Sequence, residues 1–142
     1  MSTIANILMV KGPDVIVAGP NSTVMDAARL MAEANVGSVI VKDGDELLGI
    51  FTERDLLRRV VVRGKSPDAT PLSDVMSAPL KTCGLEDSVQ DVVDCLTREH
   101  IRHLAVVEDG ALVGAISLRD VMAAQLRDMN QKIRDIEERT AD

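Results

Sequence analysis

Gly49-Ile50-Phe51-Thr52-Glu53-Arg54-Asp55 and Gly114-Ala115-Ile116-Ser117-Leu118-Arg119-Asp120 follow one pattern: Gly, two apolar residues, Thr or Ser, any residue, Arg, Asp. They lie 65 positions apart, and the same offset joins Val24, Asp26, Val41 and Leu47 to Val89, Asp91, Val106 and Leu112. One offset held without a gap across strand-like, turn-like and helix-like segments means a duplicated folding unit. Two copies are too few for a solenoid, whose units need about three neighbours to bury their faces. The expectation is two halves packed face to face about a pseudo-twofold axis, so that anything in the cleft between them occurs twice.

Working outward, each half reads β-α-β-β-α. A short extended segment (14–17 and 80–83) precedes a helix whose apolar stripe is Val24, Ala27, Ala28 and Met31, copied as Val89, Val92, Val93 and Leu96. Thr23 with Asp26, and Ser88 with Asp91, have the spacing that satisfies free amides at a helix start. Two β-rich runs follow in each half, 38–42 with 47–52 and 104–107 with 112–117, around Asp43-Gly44 and Asp109-Gly110. Asp-Gly between apolar runs is a strong hairpin signal. A second helix starts near Asp55 and near Asp120, and Gly64 ends the first copy. The fold class is therefore α/β of the mixed α+β kind. The repeats span 1–64 and 74–126, with a Pro67- and Pro71-bearing linker at 65–73 and a helical extension at 127–142. Within the last helix Met122, Leu126, Met129, Ile133 and Ile136 form an a/d stripe of about two heptads. It either folds onto its own chain or meets a second copy, and a homodimer is the expectation.

Composition narrows the function. The chain of 142 residues is 46% apolar but has one Phe and neither Tyr nor Trp, so it offers no aromatic platform for stacking bases. A formal charge of −7 also opposes nucleic-acid binding, which draws on cationic contacts to phosphates. No run approaches the roughly 18 apolar residues of a membrane span, and no secretory signal is visible, so the expected setting is the cytoplasm. Cys83 and Cys95 are expected as two reduced thiols rather than a disulfide.

The repeated signature carries the chemical argument. Each copy sits where a strand becomes a helix, and a hydroxyl, unpaired amides and the positive end of the helix dipole together favour a phosphate there. One turn on, the Asp can accept hydrogen bonds from the two vicinal hydroxyls of a ribose, and the Arg adds a forked cation. Thr52 with Asp55, and Ser117 with Asp120, equally match an ordinary capping box. The doubled Gly and Arg, and the basic pair Arg102-His103 before a strand, favour a site; a solvated charge cluster is the alternative.

The duplicated unit, this signature and the run Arg102-His103-Leu104-Ala105-Val106-Val107 together resemble a tandem pair of cystathionine-β-synthase (CBS) domains over about residues 7–126. The resemblance implies a disc-like regulatory module binding adenosine nucleotides, AMP, ADP, ATP, NAD(H) or S-adenosylmethionine, in two clefts. It implies that Asp120 and Asp55 hold ribose hydroxyls while Ser117 and Thr52 face ribose or phosphate. For the Asp120 cleft, Val36, Gly37 and Ser38 would flank adenine, and Arg102, His103 and Arg119 would meet phosphates. For the Asp55 cleft, adenine would lie near Lys81, Thr82 and Ile101, with Arg54 and Arg58 near phosphate. Gly37-Ser38 faces Arg102-His103 across the repeat, which sets the two clefts apart and favours the Asp120 side.

An enzyme is disfavoured. His100, His103, Cys83 and Cys95 are zinc-ligand types without C-x-x-C or H-x-x-x-H spacing, and there is no G-x-S-x-G elbow or P-loop. No metal is expected. The partners implied are the nucleotide, a second copy and an unidentified regulated protein. The competing reading is a ligand-free scaffold for oligomerisation or docking, because a fold survives the loss of its ligand.

Overall fold

Asp109 and Gly110 have φ angles of 51° and 79° and close a two-residue hairpin between strands paired Glu108 to Ala111. Positive φ at both central positions is the type I′ geometry that matches strand twist. In the first hairpin the paired ends are Asp43 and Glu46, so the loop is Gly44-Asp45, one residue beyond the Asp43-Gly44 read from the sequence. Gly44 has a φ of 60° and Asp45 is not positive, the type II′ pattern with glycine first. The Asp-Gly dipeptide thus slips by one between the repeats, whereas the backbone register keeps its 65-residue offset.

The computed structural model describes residues 2–140. Each repeat builds a three-stranded mixed sheet. In the first, β1 (Val17–Ala18) runs parallel to β2 (Ser38–Asp43), which pairs antiparallel with β3 (Glu46–Thr52). In the second, β4 (Thr82–Cys83), β5 (His103–Glu108) and β6 (Ala111–Ser117) repeat this order. Val17 pairs with Ile40 as Thr82 pairs with Ala105, and both central strands carry a bulge after Val41 and Val106. The central strands are the buried ones: Val39, Ile40 and Val41, and Leu104, Ala105 and Val106, have no exposure.

The packing helices are α2 (Val24–Ala34) and α4 (Val89–Glu99). Thr23 and Asp26 form a full capping box, and Ser88 accepts from Asp91 N, as the spacing predicts. Both helices end on a non-glycine residue at φ 55°, Asn35 and His100, again 65 apart. His100 is thereby a helix terminator; Asn and His enter this left-handed region more readily than most side chains.

An element the sequence reading did not foresee is α1 (Ile4–Lys11), opened by a Thr3/Asn6 capping box. Ile4, Ile7 and Leu8 are buried with Val89, Val92, Leu96, Val121 and Ala124. The chain accordingly divides into two units, one of residues 14–81 and one joining the residues up to Pro13 to those from Thr82 onward. In the first unit the corresponding lead-in is residues 70–77, inside and just after the stretch read as a linker. There Leu72 and Val75 pack with Val24, Ala27, Met31 and Val60. The backbone docks alike in both: Ile4 N donates to Asp87 O (3.0 Å) and Val89 N to Ser2 O (3.1 Å), while Leu72 N donates to Ser22 O and Val24 N to Thr70 O (both 2.9 Å). Ile4, Ile7 and Leu8 answer Leu72, Val75 and Met76 at an offset of 68, not 65.

After β3 the chain turns through α3 (Glu53–Asp55) into a π-helical segment, Leu56–Val61, followed by a turn that closes at Gly64 with φ 66°. After β6, α5 (Leu118–Thr140) runs on alone. Its stripe of Met122, Leu126, Met129, Ile133 and Ile136 is 49–60% exposed, so it is not buried on its own chain. No helix among the described residues is long and apolar enough to cross a membrane.

Because Ile4 is fully buried in the unit completed by α4 and α5, Ile4→Ala is expected to cost about 2–5 kcal/mol, read as a lowered urea midpoint at unchanged slope.

Candidate functional site

The two repeated signatures end in carboxylates that are capped alike but held differently. Thr52 N donates to Asp55 Oδ2 (3.1 Å) and Asp55 N to Thr52 Oγ1 (3.2 Å). Ser117 N donates to Asp120 Oδ2 (2.8 Å) and Asp120 N to Ser117 Oγ (3.2 Å). The capping role is therefore real in both repeats, and each carboxylate stands at the junction of a strand and a helix. A ligand role has to come from what the remaining lone pairs can do.

At Asp55 those lone pairs are engaged. Ser77 Oγ donates to Oδ1 (2.9 Å) and lies 3.2 Å from Oδ2, and Arg59 Nε stands 3.5 Å from Oδ1. Arg59 Nη1 also donates to Met76 O (2.8 Å), so the same guanidinium ties the carboxylate to the lead-in. Ser77 is fixed by its backbone, with Ile50 N donating to Ser77 O (3.0 Å) and Ser77 N to Ile50 O (2.8 Å). Gly49 permits this approach, since a Cβ there would lie 2.5 Å from Ser77 O. Asp55 is only 6% exposed.

At Asp120 the same place is taken by a lysine. Lys11 Nζ, at the end of α1, donates to Asp120 Oδ2 and to Ala115 O, both at 2.8 Å. Ala115 is the counterpart of Ile50, so one ammonium makes the two donations that the Ser77 N–H and hydroxyl make in the other unit. Gly114 also faces its lead-in, through a side chain rather than a backbone oxygen: a Cβ there would meet Leu8 Cδ1 at 3.0 Å. Burial pushes the Asp120 carboxyl up, but the hydrogen bond and charge of Lys11 and the Ser117 donors outweigh it and hold the group below its usual value. The Asp120 side chain keeps 22% of its exposure.

Within the residues 82–140 that belong with α1, the strand pairing sets His103 opposite Ser117, and Leu118 N donates to Arg102 O (2.8 Å). Arg102 and His103 thus flank the Asp120 signature, with Arg102 and Arg119 exposed. Thr82 and Ile101 lie in this unit as well. In the other unit Ser38 pairs with Thr52 and Glu53 N donates to Gly37 O (3.1 Å), so Gly37 and Ser38 flank the Asp55 signature. Val36, Arg54, Arg58 and Lys81 are exposed residues of that unit. Ser77, Arg59 and Lys11 were not singled out by the sequence. Their signal was weak: each lies in or against a lead-in, and the lead-ins recur at a different offset from the rest.

Cys83 and Cys95 are free. Burial, then the charges of Asp87 and Cys95, push the Cys83 thiol up to about 12, which makes it a packing residue rather than a nucleophile. Among the described residues no three His, Cys, Asp or Glu side chains gather as a metal site.

The CBS domain family model matches residues 4–62 and 72–127. An uncharacterised protein of Methanopyrus kandleri is 39% identical over 79% of this chain, which spans 58% of that relative. A mitochondrial CBS domain-containing protein of Arabidopsis thaliana is 33% identical over 93% of this chain and 68% of its own length. Among solved structures, a CBS-domain protein from Burkholderia ambifaria superposes with a TM-score of 0.85 at 35% identity, covering 89% of this chain and 96% of that one. A CBS domain protein from Pyrobaculum aerophilum, solved in complex with AMP, superposes with a TM-score of 0.74 at 27% identity, covering 84% and 89%.

A depressed carboxyl pKa stabilises the fold above the unfolded value and loses that contribution as pH falls through the folded value. Asp120→Asn should therefore be less stable than the parent chain near neutrality, and the gap should close as pH drops below about 4. Urea melts across that range check it; a gap that persists at low pH would assign it to capping alone.

Proposed function

The chain belongs to the CBS domain family, and from that premise we propose that it is a non-catalytic module that binds an adenine nucleotide, AMP, ADP, ATP or NAD(H), and reports its presence to another protein. The observation that carries this reading is the carboxylate of Asp120: part-exposed, held ionised, and set at a helix start beside Arg102, His103, Ser117 and Arg119. A carboxylate accepts from a ribose diol, while a helix N-terminus with nearby guanidinium groups favours phosphate. The AMP complex of the Pyrobaculum aerophilum relative supports the same ligand class. Thr52, Arg54, Asp55 and Arg58 are the corresponding set in the other repeat, and Val36, Gly37, Ser38, Lys81, Thr82 and Ile101 are kept as the adenine-side assignments. No metal takes part in this binding, and its setting is the cytoplasm.

Two engaged oxygens make Asp55 the poorer ribose acceptor, so the Asp120 side is the working one. A ligand at 100 times its Kd stabilises the native state by about 2.7 kcal/mol, a shift of several degrees in Tm. Calorimetry and thermal shift with AMP, ADP, ATP and NADH on stripped protein test the reading. Asp120→Asn should weaken binding by about 1–3 kcal/mol, and Asp55→Asn should chiefly lower the Tm. No response to any of the nucleotides would remove the sensor reading.

A second reading, a scaffold that works by assembly, has its own observation. Leu57 and Val61 are exposed, and so are their counterparts Met122 and Leu126, so the same face is left apolar in both repeats. We propose that a second copy covers these faces and the stripe continuing to Ile136, since matched apolar faces on one chain suit an isologous contact. Light scattering at micromolar concentration should give twice the 15.3 kDa chain mass, and Leu126→Glu with Ile133→Glu should shift it toward one. A wild-type mass of one chain would overturn the dimer.

A further inference from the structure

Lys11 and Ser77 solve one problem by different means. In residues 14–81 the edge of β3 at Ile50 and the carboxylate of Asp55 are both served by Ser77, whose backbone bonds on both sides leave it no freedom to withdraw. In the other unit, the carbonyl of Ala115 on β6 and the carboxylate of Asp120 are both served by the Lys11 ammonium. That ammonium ends a flexible four-carbon stem, its side chain is 33% exposed, and the chain beyond it passes through Gly12 at φ 96°. Ion pairs this exposed are worth little and are readily exchanged.

We infer that Lys11 is a specificity residue of the Asp120 site, one that occupies the ribose-binding carboxylate until a ligand bearing phosphate draws it away. A ribose diol seeking both oxygens of Asp120 has to share Oδ2 with Lys11 or displace it. An unphosphorylated nucleoside gives the displaced ammonium nothing in return. A nucleotide brings an anion of its own, to which the long stem lets the ammonium turn, so that the ion pair is replaced rather than lost. Discrimination then arises from a penalty set against the wrong ligand as much as from attraction to the right one. This rests on the nucleotide-binding reading above and adds to it the ligand's charge as the feature being read.

The test compares adenosine with AMP by calorimetry on wild type, Lys11→Met and Lys11→Arg. Methionine keeps the stem and removes the charge. The ratio of the adenosine Kd to the AMP Kd should fall by about three- to tenfold in Lys11→Met, adenosine binding more tightly and AMP less, and should be largely kept in Lys11→Arg. The carboxyl resonance of Asp120 provides a readout without ligand: its midpoint should rise in Lys11→Met. If AMP binds wild type but the ratio is unchanged in Lys11→Met, or both ligands weaken alike, the inference falls and the nucleotide-binding reading stands. If AMP does not bind wild type, both fall.

Discussion

The seating of a lead-in segment against the signature glycine is the constraint on which the remainder of each unit depends. Residues 76–78 lie so close over Gly49 that a Cβ would meet a backbone oxygen at 2.5 Å, and the Leu8 side chain rests on Gly114 less tightly, its Cδ1 at 3.0 Å from a Cβ there. That contact buries the apolar side of the lead-in, positions Ser77 or Lys11 at the carboxylate, and fixes the helix start that the carboxylate caps. Core packing and the polar junction are thus one arrangement, because Ser77 both covers Gly49 and bonds Asp55, while Leu8, which covers Gly114, lies one helical turn before Lys11, which bonds Asp120. The glycine has a steric reason independent of any ligand, and the site borrows a junction the fold already needs.

Much of this was legible. The constant offset found the duplication, and local rules then set the caps at Thr23, Thr52, Ser88 and Ser117, because capping depends on residues three apart. The hairpins were legible too, although the loop in the first is Gly44-Asp45: a dipeptide identifies a turn, but pairing along the strands decides which residues occupy it. The helix at Ile4–Lys11 was missed because eight residues show little periodicity, and because its counterpart is a single tight turn at Leu72–Asp74. The extra three residues in that offset hid the kinship of Ile4, Ile7 and Leu8 with Leu72, Val75 and Met76.

The candidate site shows the same division. Its carboxylates and hydroxyls could be placed from the motif, since they lie within one strand-to-helix turn. The groups that distinguish one half from the other could not. Ser77 and Lys11 reach Asp55 and Asp120 from 22 and 109 residues away, and nothing local to either signature marks them. The sequence placed the asymmetry in Gly37-Ser38 against Arg102-His103; the structure adds a second, in how firmly each acid is occupied.

The exchange of lead-ins also has a bearing on the order of synthesis. A chain made from its N-terminus folds as its parts emerge. Residues 14–81 form a unit contiguous along the chain, so its own apolar core is complete once Lys81 has left the ribosome. The helix at Ile4–Lys11 is made earlier, but its core partners begin only at Cys83 and end with Val121 and Ala124, more than a hundred residues later. A segment made early is thus among the last to be fully packed, and in that interval Ile4, Ile7 and Leu8 are open to a holdase that recognises a short apolar helix.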